Sequence, residues 1–216
     1  MSSSAAQAVK PLSVAMKEGS TAEHEAAEHS PYVSELLSGR INRQGYADYL
    51  LRLRLVYESL EAAVRDLHDD PLVAAVYDPA LERLAALESD IDYWAPGAAR
   101  DIDSPAALAY RDRLVGASWG GALVAHHYTR YLGDLSGGQA IGKILDRTFG
   151  LDGAGLAFYD FPVRAKPYKD AYRARLDNLD LNADQIDRAV DEVKIAFNMN
   201  QALFNELAGN LSAYQR

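Results

Sequence analysis

The sequence predicts an all-α protein, a single-domain bundle of about eight helices. Three observations carry that prediction. Apolar residues recur at three- and four-residue spacing along most of the chain. The breaks between those stretches fall at capping residues, prolines and glycines. No stretch alternates apolar and polar residues as a half-buried strand would. With 216 residues, 49% of them apolar, the chain is long enough to bury one continuous core.

The elements follow in order. Residues 1–10 are rich in serine and read as a flexible segment ahead of a domain spanning 11–210; residues 211–216 read as a flexible tail. Residues 12–29 open the domain as a helix after Pro11. Asn42 caps a helix running to about Leu67, whose apolar stripe includes Tyr46, Leu50, Leu53, Tyr57, Leu60 and Val64. Pro71 and Pro79 each begin new helical turns, the second leading to Leu84, Leu87 and Ile91. Ser104 followed by Pro105 is an N-cap with proline at the first helical position. A long helix is expected from about Gly121 to Phe149, stopped by Gly150. Residues 151–166 form the one long loop, and Pro167 begins the next helix. Asn182 with Gln185 is a capping box for the last helix, which packs Ile186, Val190, Val193, Phe197, Leu203 and Leu207.

Charge and composition exclude several classes of function. Twenty-two Lys and Arg against 31 Asp and Glu give a net charge of −9, which argues against general nucleic-acid binding. There is no cysteine, hence no disulfide, thiolate ligand or Cys nucleophile. The N-terminus lacks the apolar core of a signal peptide, and no window approaches a membrane span. A cytoplasmic protein without a membrane anchor is expected.

The most informative stretch is YLGDLSGGQ, Tyr131–Gln139, inside the long helix. It places Gly133, Gly137 and Gly138 within two turns, with Gly142 one turn on. Each helical glycine costs about 1 kcal/mol relative to alanine, so something must offset the loss. Close approach of another surface to bare backbone is the usual gain. Asp134 and Ser136 add polar chemistry beside that surface.

Of the five histidines, His68 lies in a polar HDD run and reads as solvated. His126 and His127 point about 100° apart on one helix, so both cannot face one site; they are expected to pack or hydrogen-bond near its surface. HEAAEH, His24–His29, has its second histidine at i+5 rather than the i+4 of a zinc-hydrolase motif. No Glu-x-x-His pair exists for a di-iron centre. His24 remains as a single helical ligand candidate, with Glu28 one turn on and Lys17 two turns back, about 10 Å away. Lys169 and Arg173, at i and i+4, make a second cationic cluster beside Tyr172. One ligating histidine, a glycine-rich backbone opposite and two separated cationic groups describe a site for heme, a planar apolar disc with two carboxylates on one edge.

Here the sequence resembles the heme oxygenases, most closely the soluble bacterial biliverdin-producing type. Four motifs carry the resemblance: TAEHEAAEHS (Thr21–Ser30), HHYTRYLGDLSGGQ (His126–Gln139), YKDAYRARLDNL (Tyr168–Leu179) and FNMNQALFNEL (Phe197–Leu207). It implies heme b, both substrate and cofactor, held between a proximal helix and the Gly-rich distal helix, with iron ligated by His24 and supported by Glu28. It implies that Gly133, Gly137 and Gly138 admit the heme face, that Asp134 orders water near bound O2, and that Arg130 and Asn200 join the polar network. Lys17, Tyr128, Lys169 and Arg173 match positions around the propionates; Ser136 and Phe197 fall in the matching segments. Thr21 departs from the animal members, which carry a second lysine there. The reaction implied is oxidative cleavage of heme to biliverdin, mainly the IXα isomer, with CO and ferrous iron, as in iron acquisition. An acidic donor such as a ferredoxin or flavodoxin with its reductase would dock on Lys143, Arg147, Arg164, Lys166, Lys169, Arg173 and Arg175. A non-catalytic heme-storage or transfer protein is the alternative, and Asp134 among the glycines favours catalysis over it.

Overall fold

The computed structural model describes residues 10–216; the flexible segment expected over 1–10 therefore lies, but for Lys10, outside the described residues. Within them the chain is all-α, and its backbone runs through twelve α-helices. The first four are α1 (Leu12–Gly19), α2 (Thr21–Glu28), α3 (Pro31–Leu37) and α4 (Arg43–Asp66). Then follow α5 (Pro71–Ala74), α6 (Leu84–Trp94), α7 (Pro105–Val115) and α8 (Gly120–Gly133). The last are α9 (Gln139–Phe149), α10 (Ala165–Asp177), α11 (Ala183–Ala208) and α12 (Leu211–Tyr214). The count exceeds eight because short helices add to the expected ones and two long expectations are broken.

The first break is at Ser20, which divides 12–29 into α1 and α2. Its backbone leaves helical values, at φ −115° and ψ 16°, and its hydroxyl donates back to the Met16 carbonyl at 2.7 Å. The second is at Asp134–Gly138, where a five-residue π-helical turn separates α8 from α9. One extra residue per turn loosens the hydrogen-bond ladder and turns the flanking backbone. The Gly121–Phe149 helix is thus two helices joined by the Gly-rich turn.

Capping chemistry works as the sequence implies. The Asn42 side chain accepts from the Gly45 N–H at 2.9 Å. Ser104 accepts from Ala107 with Pro105 at the first position, and Asn182 and Gln185 form a reciprocal capping box. On α4, Tyr46, Leu50, Leu53, Tyr57, Leu60 and Val64 are buried at spacings of four and three, a stripe against α6, α7 and α8. A second core joins α1, α8, α10 and α11 through Met16, Val124, Tyr172 and Val193. The central pair α8 and α11 packs between both cores and carries much of the site.

The flexible tail expected over 211–216 is instead built in. Asn42 N–H donates to the Tyr214 carbonyl at 2.7 Å, Ile41 and Gln215 form a bridge, and the Tyr214 hydroxyl donates to Asp48. His126 and His127 pack and hydrogen-bond as expected, and their contacts are buried in the core. His126 Nε2 donates to Glu192 at 2.9 Å and Nδ1 accepts from the Tyr110 hydroxyl at 3.2 Å, which a neutral ring satisfies. His127 Nδ1 accepts from the Tyr172 hydroxyl at 2.8 Å, and burial pushes its pKa down to about 3. His68 is exposed, as expected. Among the described residues no helix is long and apolar enough to cross a membrane.

Candidate functional site

A cavity of about 800 Å³ opens between α2 on one side and the end of α8 with its π turn on the other. Its size is that of a pocket for a sizeable organic ligand. Helix α11 closes the back with Phe197, Asn200 and Phe204, and α1 and α10 reach its edge with Lys17 and Arg173.

On one wall of the cavity α2 presents His24. The ring lies half-exposed on the cavity wall, edge-to-face against Phe197 with centroids 5.1 Å apart. Glu28, one turn on, places Oε1 3.5 Å from Nε2. The carboxylate and the Phe197 edge limit the ring's rotation without occupying both of its nitrogens.

Across the cavity the glycines divide by role. A methyl group added at Gly142 would meet the Tyr159 ring at 3.0 Å, so this glycine lets an aromatic ring lie on the helix. At Gly133 and Gly137 an added methyl would meet nothing within 4 Å beyond its own turn of helix. Both line the cavity. Their bare backbone is required by no packing within the protein and leaves room for something that enters the cavity. Gly138 lines it too, with Tyr159 at ordinary contact distance from such a methyl.

Asp134 occupies the first position of the π turn and is buried. Its Oδ2 accepts from the Tyr57 hydroxyl. Its Oδ1 lies 3.5 Å from Arg130 Nη2, an ion pair too long to fill the oxygen's hydrogen-bonding capacity. Arg130 in turn donates to Asn200 Oδ1 at 2.9 Å and to the Tyr57 hydroxyl at 3.1 Å. Burial pushes the Asp134 carboxyl up from its usual range, while Arg130 and the Tyr57 hydrogen bond hold it down. The balance leaves an acid poised higher than a surface aspartate. Burial also keeps Tyr57 protonated, its pKa raised well above the usual value, so it remains a donor.

At the rim, Lys17 and Arg173 line the cavity. Tyr128 does so from α8, its phenol pKa raised by burial. Lys169 stands apart: it is not on the cavity wall, and its Nζ donates to Ser136 Oγ at 2.7 Å, tying α10 to the π turn. The chain of cations expected for donor docking is also thinner than the sequence implies. Arg175 turns inward, donates to the Ala75 carbonyl and stacks on Tyr168 and Tyr172. Lys166 and Arg173 share Asp170.

The structure therefore brings together on one cavity Lys17, His24, Glu28, Tyr128, Arg130, Gly133, Asp134, Ser136, Gly137, Gly138, Arg173, Phe197 and Asn200, and leaves Lys169 at its margin. Sequence reasoning missed Tyr57, which holds Asp134, and Tyr49 and Tyr159, which line the cavity. Tyr57 sits in the apolar stripe of α4, where its spacing marks core alone. A half-exposed imidazole facing bare backbone, with cations at the edge and a buried acid network behind, suits a flat apolar ligand with an anionic rim.

Comparison with known proteins identifies the family. The sequence model of the family described as heme oxygenase matches residues 10–206. Heme oxygenase 1 of Synechocystis sp. is 37% identical over 206 residues, 93% of this chain and 86% of that protein. Human heme oxygenase 1 is 38% identical over 205 residues, 91% of this chain and 71% of that protein. The crystal structure of the Synechocystis heme oxygenase-1 in complex with heme superposes with a TM-score of 0.89 at 36% identity, covering 94% of this chain and 95% of that one. The heme oxygenase from Leptospira interrogans superposes at 0.87 with 32% identity, over 91% of this chain and 100% of that one. With this fold, this cavity and these relatives, the chain belongs to the heme oxygenase family of heme-cleaving enzymes.

Proposed function

We propose that the enzyme binds heme b in the cavity between α2 and the π turn and opens it at the α-meso carbon, giving biliverdin IXα, CO and ferrous iron. The observation that carries this reading is the pairing of His24 with the open glycines Gly133 and Gly137 across one cavity. A Cβ at either glycine would project into the space a flat ligand needs. When bound, heme supplies both the ring that is cleaved and the iron at which O2 is activated.

The chain's own residues then have distinct tasks. His24 holds the proximal face, and Glu28 and Phe197 fix its ring. Lys17 and Arg173 receive the two carboxylates, with Tyr128 assisting, and Lys169 joins them from its bond to Ser136. Anchoring that edge fixes the rotation of the ring in its plane and so chooses which meso carbon faces the distal side. The glycines keep catalytic side chains off that face. Asp134 holds a water at Oδ1 and passes a proton through it, while Tyr57 and Arg130 keep the carboxylate in place. Asn200 holds the Arg130 guanidinium. A storage protein would need His24 but not this buried acid network.

Electrons come from an acidic donor of the ferredoxin or flavodoxin kind with its reductase, and the reaction runs in the cytoplasm. Lys143, Arg147 and Arg164, with Lys166 exposed though paired to Asp170, remain the cations to dock it. The test is one aerobic turnover of the heme complex followed by chromatography. Biliverdin IXα is the expected product; mainly the β or δ isomer would contradict the rim assignment, and recovered intact heme would contradict catalysis.

A further inference from the structure

Thirteen of the 216 residues are tyrosine, and several are buried in a connected row that the cleavage reaction does not use. The row starts at the cavity. Tyr159 lines it, and its ring packs on Gly142 beside the π turn. The Tyr46 hydroxyl donates to the Tyr159 hydroxyl at 3.2 Å, both groups fully enclosed. The Tyr46 ring meets Trp94 edge-to-face with centroids 4.7 Å apart. Trp94 meets Tyr93 with centroids 5.7 Å apart. Tyr93 is 38% exposed, among the few large hydrophobic residues on the surface. Four oxidisable side chains thus run from the oxygen-handling cavity to solvent without an aliphatic gap.

We propose that Tyr159, Tyr46, Trp94 and Tyr93 form a relay that carries one-electron oxidising equivalents out of the cavity when cleavage misfires. The inference rests on the heme reading, because it needs an oxidant formed in that cavity. The Tyr46–Tyr159 hydrogen bond joins the first two members of the row. Electrons move one step at a time toward the cavity: Tyr46 refills Tyr159, Trp94 refills Tyr46, and the two buried phenols keep their protons within their shared hydrogen bond. Tyr93 refills Trp94 and releases its own phenolic proton to solvent. The net change is one electron delivered to the cavity oxidant and a neutral phenoxyl at Tyr93. A small thiol in solution reduces that phenoxyl by giving up its S–H hydrogen, and two thiyl radicals couple to a disulfide.

Two further contacts shape the route. The Arg43 guanidinium lies 4.7 Å from the Trp94 ring and 5.2 Å from the Tyr93 ring. It disfavours a resting positive charge on either, so the hole settles only where a proton can leave, at the exposed phenol. Trp94 N–H donates to the Gly155 carbonyl at 2.7 Å, which fixes the indole between its two neighbours.

The test treats the heme-loaded full-length protein with hydrogen peroxide and a nitroso spin trap, then locates adducts by peptide mass spectrometry. Soret absorption is recorded first for every variant. Wild type should carry the adduct on Tyr93. Trp94→Phe and Tyr46→Phe, which keep an aromatic ring in place, should lose the Tyr93 adduct and gain oxidation at Tyr159 and Tyr49. Tyr93→Phe, a surface change, should shift the trapped radical inward to Trp94. A normal Soret band with the Tyr93 adduct undiminished in Trp94→Phe and Tyr46→Phe would overturn the relay alone. Wild type with a normal Soret band and no Tyr93 adduct would also overturn it. Failure of wild type to give a Soret band would overturn the heme reading and the relay with it.

Discussion

The hydroxyl of Tyr57, on α4, donates to the Asp134 carboxylate at the start of the π turn, joining positions 77 residues apart. Tyr57 is in the middle of a 24-residue helix and fully buried. The acid on the loosened turn is thus held by a buried residue of a long helix packed in the core. Arg130, one turn before Asp134, completes the clamp.

The proximal assignment is tested at His24 and Glu28. His24→Ala should leave the helical circular dichroism unchanged and abolish the wild-type ferrous–CO spectrum, because Phe197 and the distal glycines still shape the cavity. Glu28→Gln should weaken heme binding roughly tenfold, the scale of a lost partner behind a ligand. Full turnover in His24→Ala would show that another group holds the iron.

The open glycines make a prediction in which stability and binding move in opposite directions. Gly133→Ala or Gly137→Ala should stabilise the ligand-free protein by about 0.5–1 kcal/mol, since helical backbone gains and nothing is struck. The same changes should weaken heme binding. A thermal melt and a heme titration on one sample separate the effects; unchanged heme affinity would mean that these glycines do not face the ligand.

Much of this site is legible in the sequence because helical periodicity assigns faces. His24 and Glu28 are one turn apart, and Asp134 lies with Gly133, Gly137 and Gly138 within two turns, so local spacing alone assembles each half. The partners that arrive from afar are not legible. His126 and His127 read as packed or hydrogen-bonded, but their partners in the core, Glu192 and Tyr172, lie 66 and 45 positions away. The glycines of 133–142 signal an anomaly but not its form. A π turn depends on both flanking helices being fixed by packing, and no local rule supplies that. The break at Ser20 was hidden for the opposite reason: its i−4 hydroxyl bond is compatible with a continuous helix as well as with its end.

The buried pair behind α8 predicts an acid-sensitive contribution to stability. Burial alone would raise the Glu192 pKa, but hydrogen bonds from His126 and Arg113 hold it at about 2, below the ordinary 4.5. A carboxylate lowered in the fold stabilises it fully above pH 4.5, and the contribution is lost as pH falls toward 2. Glu192→Gln should therefore cost about 2 kcal/mol at neutral pH, the scale of a charged hydrogen bond. Urea melts across pH should show the difference between variant and wild type shrinking below pH 4.5. A difference independent of pH would show that packing, not charge, is what Glu192 supplies.

Donor docking is tested by charge. Lys143→Glu with Lys166→Glu should slow donor-supported turnover severalfold and flatten its dependence on ionic strength. Heme affinity and peroxide-supported cleavage should stay as in wild type, since neither lysine lines the cavity. Indifference of the donor-supported rate to both the reversals and salt would make this patch ordinary surface.

The central claim is that the clamped Asp134, not heme binding alone, makes this protein an enzyme, and a single aerobic turnover of the Asp134→Ala and Asp134→Asn heme complexes tests it most directly. Both variants should keep the Soret band of bound heme, and both should lose biliverdin formation on the order of 10²-fold or more, Asn retaining the Tyr57 contact without a proton to pass. Wild-type biliverdin yield from either variant would contradict the account.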